Sequence, residues 1–239
     1  MTRAALLLAA PFVLAGCAAR TALPGPMAQP GRFDAAAWLA EARPYADVVS
    51  DLTFDVEPDA VSDARRAEAK RLGTELDAAV GWERACDTFW DAESQREVYE
   101  PTEPGGGHGL RGTYTVERVG EAEHVVVVTC NFGAYQGSYA MVHLDGQRAA
   151  LLKADNIGMA GQPYGPPSAV YSEAYFQGGT RGFETFAKAR GLGDCGILSR
   201  YEVAGFGEAT LVQARARDCD DAPEIAPPVD EWPVVFPRP

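Results

Sequence analysis

No two cysteines stand two residues apart, histidine occurs three times in 239 residues, and basic side chains are scarce: 21 against 34 acidic ones, a net charge of −13. Each shortage excludes something. Without a C-x-x-C step, neither a thioredoxin-like redox pair nor a cysteine zinc site has its usual spacing. Three histidines leave few candidates for a metal ligand or a general base, and the surplus of negative charge repels nucleic acid. Past the first residues no apolar run approaches the ~20 residues that a membrane-spanning helix needs. The glycine run Pro104-Gly105-Gly106-Gly107-His108-Gly109 is not followed by Gly-Lys-Ser/Thr, so it reads as a turn and not as a phosphate cradle. Ser138 and Ser168 lack a nucleophile-elbow pattern. The acidic groups Asp87 with Asp91, and Asp218 with Asp220 and Asp221, lack the alternation and distal glutamate of a calcium loop. No metal and no cofactor are implied.

What is present begins at the N-terminus. Met1 to Gly16 carries one basic residue, Arg3, then the apolar run Ala4 to Val13 broken by Pro11, and ends at Leu14-Ala15-Gly16-Cys17. This is a signal-peptide pattern, too short to span a bilayer. Its last four residues resemble the bacterial lipobox, in which a peptidase cuts before the cysteine and lipid is attached to it. Cys17 is then expected to be a lipid attachment site, with membrane affinity supplied by acyl chains at about 0.8 kcal/mol per buried methylene. Ala18 in place of Asp resembles an outer-membrane sorting signal, so the expected location is the cell envelope, anchored in the outer membrane and facing the periplasm. Cleavage removes Arg3 and leaves the mature chain more acidic still.

Four cysteines remain, Cys86, Cys130, Cys195 and Cys219, and an even number in an exported chain reads as two disulfides. Of three possible connectivities, Cys86–Cys130 and Cys195–Cys219 are predicted, because each bond then stays within one local unit. The first ties the end of a long helix to a central strand. The second closes the base of a hairpin.

The expected organisation is a signal peptide over residues 1–16, an anchor and Ala/Pro/Gly-rich tether over 17–31, one domain over 32–222 and a Pro-rich tail over 223–239, where Trp232 and Phe236 are candidates to dock. From Asp59, residues Ala69, Leu72, Leu76, Ala79 and Val80 recur at helical spacing until Gly81. Gly112–Val119 and Glu123–Thr129 read as strands, the second with four consecutive valines, which marks a central strand covered on both faces. Ser138–Leu144 and Gln147–Lys153 flank Asp145-Gly146, a tight-hairpin signal. Asp155–Ser168 is a Gly/Pro-rich loop. Thr180 is placed as the cap of a short helix carrying Phe183, Phe186 and Ala187 on one face and ending at Gly191. Ile197–Val203 and Glu208–Ala216 form a second hairpin around Gly205 and Gly207. The fold class is α+β, mainly antiparallel sheet with at least two packing helices, stabilised by disulfides.

The run Lys188-Ala189-Arg190-Gly191-Leu192-Gly193-Asp194-Cys195-Gly196, followed by a hairpin and Cys219, resembles the bacterial DUF1176 family, a domain of unknown function. Cys130-Asn131-Phe132-Gly133-Ala134-Tyr135-Gln136-Gly137-Ser138-Tyr139 is similar to that family's other recognisable stretch, so the resemblance runs from about Trp82 to the C-terminus. Ala204-Gly205 and Asp218-Cys219-Asp220 depart from the family's pattern. The resemblance implies an exported, disulfide-bonded domain and no reaction.

His124 and His143 lie on strands that should pair; with Tyr135 near the centre of the connection, His124 sits opposite Leu144 and the two imidazoles face opposite ways, whereas a slip of one residue would join them. Tyr135, Tyr139, Tyr164, Tyr171 and Tyr175 form an aromatic group, and Tyr135, Tyr139 and Tyr164 with Arg181 and Arg190 are the candidate partner-binding residues. The functional expectation is a non-catalytic envelope module that binds a protein, peptide or glycan. The alternative is an envelope hydrolase with a scattered histidine and carboxylate site.

Overall fold

The structure is a computed structural model that describes residues 33–46, 63–102, 110–132, 136–219 and 227–237. Cys17, the tether, His108, Tyr135, Asp220, Asp221 and the expected helix start at Asp59 lie outside these residues.

Among the described residues three α-helices precede the strands. Helix α1 (Ala35–Ala42) starts where the Asp34 carboxylate accepts from the Ala37 N–H at 3.0 Å, an N-cap. It turns Ala35, Trp38 and Ala42 inward. Helix α2 (Asp63–Val80) buries Ala69, Leu72 and Leu76 on one stripe. Gly73 stands on this helix although glycine weakens helices, because a Cβ there would lie 2.4 Å from the Gly112 carbonyl oxygen. Gly81, in the left-handed region at φ 71°, ends α2 and lets α3 (Trp82–Cys86) leave at a new angle.

The strands follow: β1 (Thr88–Asp91), β2 (Arg96–Tyr99), β3 (Tyr114–Arg118), β4 (Glu123–Phe132), β5 (Gly137–Asp145), β6 (Arg148–Leu151), β7 (Val170–Tyr171), β8 (Glu173–Phe176), β9 (Gly182–Lys188), β10 (Gly196–Gly205), β11 (Glu208–Arg217) and β12 (Val234–Phe236). β1 and β2 form a hairpin. One sheet runs β3-β4-β5-β6, with β7 also on β5; a second runs β12-β11-β10-β9-β8, and every pairing between these strands is antiparallel. The fold is therefore mainly antiparallel sheet with packing helices.

The four-valine strand sits between two cores. Val126 and Val128 face the helices with Trp38, Leu72, Trp82 and Tyr114. Val125 and Val127 face the second sheet with Met141, Tyr171, Phe183 and Tyr201. A strand apolar on both faces thus occupies the middle of three layers, as its composition requires.

Both disulfides join the predicted partners, Cys86 with Cys130 and Cys195 with Cys219. The second sits beside the Gly196–Arg217 pair at the base of the β10–β11 hairpin. The turn between β5 and β6 differs in detail from the Asp-Gly expectation. Asp145 pairs with Arg148 as the last strand residue, so the central positions are Gly146 and Gln147, and Gly146 alone takes a positive φ, 58°. This is the arrangement of a type II′ turn.

The helix expected after Thr180 is instead strand β9. Thr180 is a turn residue: its hydroxyl donates to the Gln177 carbonyl and accepts from the Gly182 N–H. Phe183 and Thr185 are buried alternately, and Phe183 stacks on Tyr201 with ring centroids 5.1 Å apart. The spacing of Phe183, Phe186 and Ala187 alone reads as helical, but Phe183 and Phe186 are apolar on opposite faces of a strand, Phe186 packing on Trp232, and pairing with β8 and β10 decides for the strand. The left-handed glycine in the following turn is Gly193, φ 68°, and not Gly191. At the C-terminal end Trp232 is buried, its indole donating to the Pro227 carbonyl, while β12 pairs with β11.

Candidate functional site

At the turn end of the β4–β5 hairpin the two sheets bring polar side chains together. Gln136 and Tyr139 come from the first sheet's side, Glu173 and Tyr175 from β8, Lys188 from the end of β9. The Lys188 ammonium donates to Glu173 at 2.7 Å, both side chains being only about one-fifth exposed. The Tyr175 hydroxyl donates to the other Glu173 oxygen at 2.9 Å, and the Lys188 backbone N–H donates to the Gln136 side-chain carbonyl at 2.9 Å. The two Glu173 oxygens are thus shared between the Lys188 amine and the Tyr175 hydroxyl.

Both phenols here resist ionisation. Burial, followed by the Glu173 charge, pushes the Tyr139 phenol up. Burial, then the hydrogen bond to Glu173 and its charge, pushes Tyr175 up to about 12. Phenols held in their neutral form beside an ion pair offer hydrogen bonds and a ring face. Tyr175 is 54% exposed, so its ring is available to a ligand.

The sequence candidates are divided among several places. Tyr139 lies in this cluster, and Arg190 lies just beyond β9 at the same end, engaged by both oxygens of Asp194. Arg181 is at the other end of β9, donating to the Val203 carbonyl and paired with Glu123. Seven strand residues at roughly 3.3 Å each keep the two arginines about 20 Å apart. Tyr164, 43% exposed, belongs to the 155–168 loop, where Gly165 packs on Trp90. The sequence does not single out Glu173, Lys188 and Gln136: the helix expected after Thr180 keeps Lys188 apart from Glu173, and only strand β9 brings the two together. Tyr171 packs in the core. Asp87 is buried and holds Arg111 at 2.8 Å and the Thr102 hydroxyl, while Asp91 caps a turn at Ser94.

The histidines face opposite ways, with His124 opposite Leu144 and His143 opposite Val125. A bulge decides this. Thr129 pairs with Tyr139 but Asn131 with Ser138, so Cys130 is the extra residue; without it the register would shift by one and both imidazoles would share a face. His124 lies toward α1, where Arg43 donates to its Nε2 at 2.9 Å. His143 lies toward the second sheet, its Nδ1 accepting from the Gly207 N–H at 3.2 Å and its Nε2 3.5 Å from Glu123, beyond a normal hydrogen bond. The hydrolase arrangement needs a histidine and an acid in one concavity. His124 lines a recess whose lining among the described residues includes no acid, and the acid beside His143 lies on the other face of the sheet.

Burial holds both imidazoles below their usual 6.5, helped at His124 by Arg43 and Arg118 and opposed at His143 by Glu123. A depressed folded-state value contributes stability that is present above about 6.5, the unfolded value, and lost as pH falls toward the folded one. Melting temperature should therefore fall between pH 7.5 and pH 5, and the slope should flatten in a His124→Gln/His143→Gln double variant. Identical slopes would assign the pH dependence to other groups.

A family model described as a protein of unknown function (DUF1176) matches residues 57–239. None of the curated proteins and none of the solved structures matches the chain.

Proposed function

The chain belongs to the DUF1176 family of proteins of unknown function, and from that premise we propose that it is a non-catalytic, lipid-anchored module of the bacterial envelope. In this reading it binds a protein, peptide or glycan partner, and its contact surface is the tyrosine cluster at the turn end of the β4–β5 hairpin. The observation that carries it is the Glu173 carboxylate, shared by Lys188 and the exposed Tyr175, with Tyr139 in electrostatic reach. An ion pair held between neighbouring strands β8 and β9 of one sheet has little side-chain entropy left to lose on binding, and an exposed phenol ring supplies stacking area. The anchor is lipid on Cys17 at the end of the lipobox-like run, with the domain facing the periplasm from the outer membrane.

Two measurements test this. A photo-reactive residue at Tyr175 should give a discrete crosslinked product in native envelope, and one at Tyr99, exposed on the β1–β2 hairpin, should not; equal products from both, or none from Tyr175, would sink the assignment of the surface. For the anchor, Cys17→Ser should abolish incorporation of a fatty-acid probe and release the protein to the soluble fraction. Label that persists on the variant would refute it.

A further inference from the structure

At the open end of the same hairpin, away from the tyrosine cluster, α1 leaves a recess of about 300 Å³. Ala36, Leu39, Ala40 and Arg43 line it from the helix side at i, i+3, i+4, i+7 spacing, and Ala122, His124, Leu144 and Gly146 line it from the hairpin. The walls are aliphatic except at one place. There Arg43, exposed, donates to His124 Nε2 at 2.9 Å. Accepting that bond makes Nε2 the unprotonated nitrogen, so Nδ1 carries the hydrogen, and Nδ1 is buried with no hydrogen-bond partner among the described residues.

Among the described residues this guanidinium beside an imidazole has no anion. The nearby acids are already engaged: Glu41 with Arg71, Glu123 with Arg181, Asp145 with Arg148. Among the described residues Arg43 has no carboxylate within ion-pairing distance, in a chain whose acidic residues outnumber its basic ones. Arg118 adds positive potential at His124. A planar guanidinium is the side chain best matched to a carboxylate, which it can hold by two parallel hydrogen bonds.

We propose that this recess binds an aliphatic monocarboxylate, its head on Arg43 at the His124 end and its tail along Leu39, Ala36, Ala40 and Leu144. The charge at one end and the aliphatic walls elsewhere set the two halves of this specificity. The head distinguishes an acid from an alcohol or amine of equal length. The tail makes affinity rise with chain length, by roughly two- to fourfold per methylene while the recess still has wall to offer.

The test is titration of the full mature chain with butyrate, octanoate, octanol and octylamine, followed by amide chemical shifts of α1 and the hairpin end. Octanoate should bind at least about tenfold more tightly than octanol or butyrate, with octylamine weakest. Arg43→Gln should reduce octanoate to the level of octanol while leaving octanol unchanged. Ala40→Phe, at an exposed position that tolerates the larger side chain, should block both. Equal binding of octanoate and octanol, an Arg43→Gln variant that keeps the preference, or shifts produced by phosphatidylglycerol vesicles and not by octanoate would each overturn the proposal.

Discussion

Replacing Cys86 and Cys130 together by alanine is expected to lower the free energy of unfolding by about 3 to 4 kcal/mol, read from urea midpoints at constant m-value. The bond spans 44 residues, and the chain-entropy relation gives roughly 4 kcal/mol for a loop of that length, reduced where the cross-linked ends would stay close anyway. Here they would not: Cys86 ends α3 and Cys130 lies on β4, with the β1–β2 hairpin and β3 between them. A second consequence follows from where Cys130 sits. It is the bulge residue that sets the β4–β5 register, next to a run of valines that are buried on both faces and so specify register weakly. Loss of the bond should therefore weaken the register as well as the stability, and hydrogen exchange should rise along β4 more than along β11. The double variant lacking Cys195–Cys219 is the control, since its bond spans 24 residues and closes a hairpin that strand pairing already holds. A loss under about 1 kcal/mol for the first pair would place its stabilisation within the strain and residual structure that reduce many disulfides.

The middle layer was legible in the sequence because its signals are local and redundant. Four β-branched valines in a row favour a strand with two covered faces, Gly146 marks a two-residue turn, and four cysteines that all pair allow only three connectivities. What was not legible depends on tertiary context. The opposite facing of His124 and His143 is one of two registers the sequence allows, and the bulge at Cys130, which leaves no mark in composition, is what selects it. Helix α1 carries a readable start, Asp34 before three alanines, but its length is too short for periodicity to identify its buried face. Of the candidate site, Tyr139 could be named from the aromatic group, whereas Glu173 and Lys188 become neighbours only once β9 is a strand beside β8. A short segment whose apolar spacing alone reads as helical is decided by its tertiary partners, and here those are the flanking strands β8 and β10.

Phe183 tests that decision most directly, and Phe183→Ala is expected to cost about 3 to 5 kcal/mol. Its ring is 1% exposed and stacks between Phe176 and Tyr201, at 5.1 Å from each, with the Tyr171 ring edge-on at 5.7 Å. Truncation removes the buried area of a large side chain and leaves a cavity that two neighbours anchored by other contacts cannot fill: the Tyr171 hydroxyl donates to the Leu152 carbonyl, and the Tyr201 ring is held by its strand pairing with β9 and β11. The aromatic pairs add roughly 0.5 to 1.5 kcal/mol each beyond area, without strict additivity. Phe183→Leu keeps most of the volume and loses the stacking, so it should cost less than half as much. The neighbouring position sharpens the test. On a strand, Glu184 points to the opposite side from Phe183 and pairs with Arg200 at the surface, so Glu184→Ala should change stability by under about 1 kcal/mol. Urea unfolding of the three variants measures all of this, and a small loss for Phe183→Ala would contradict a core in which this ring joins the second sheet to the first.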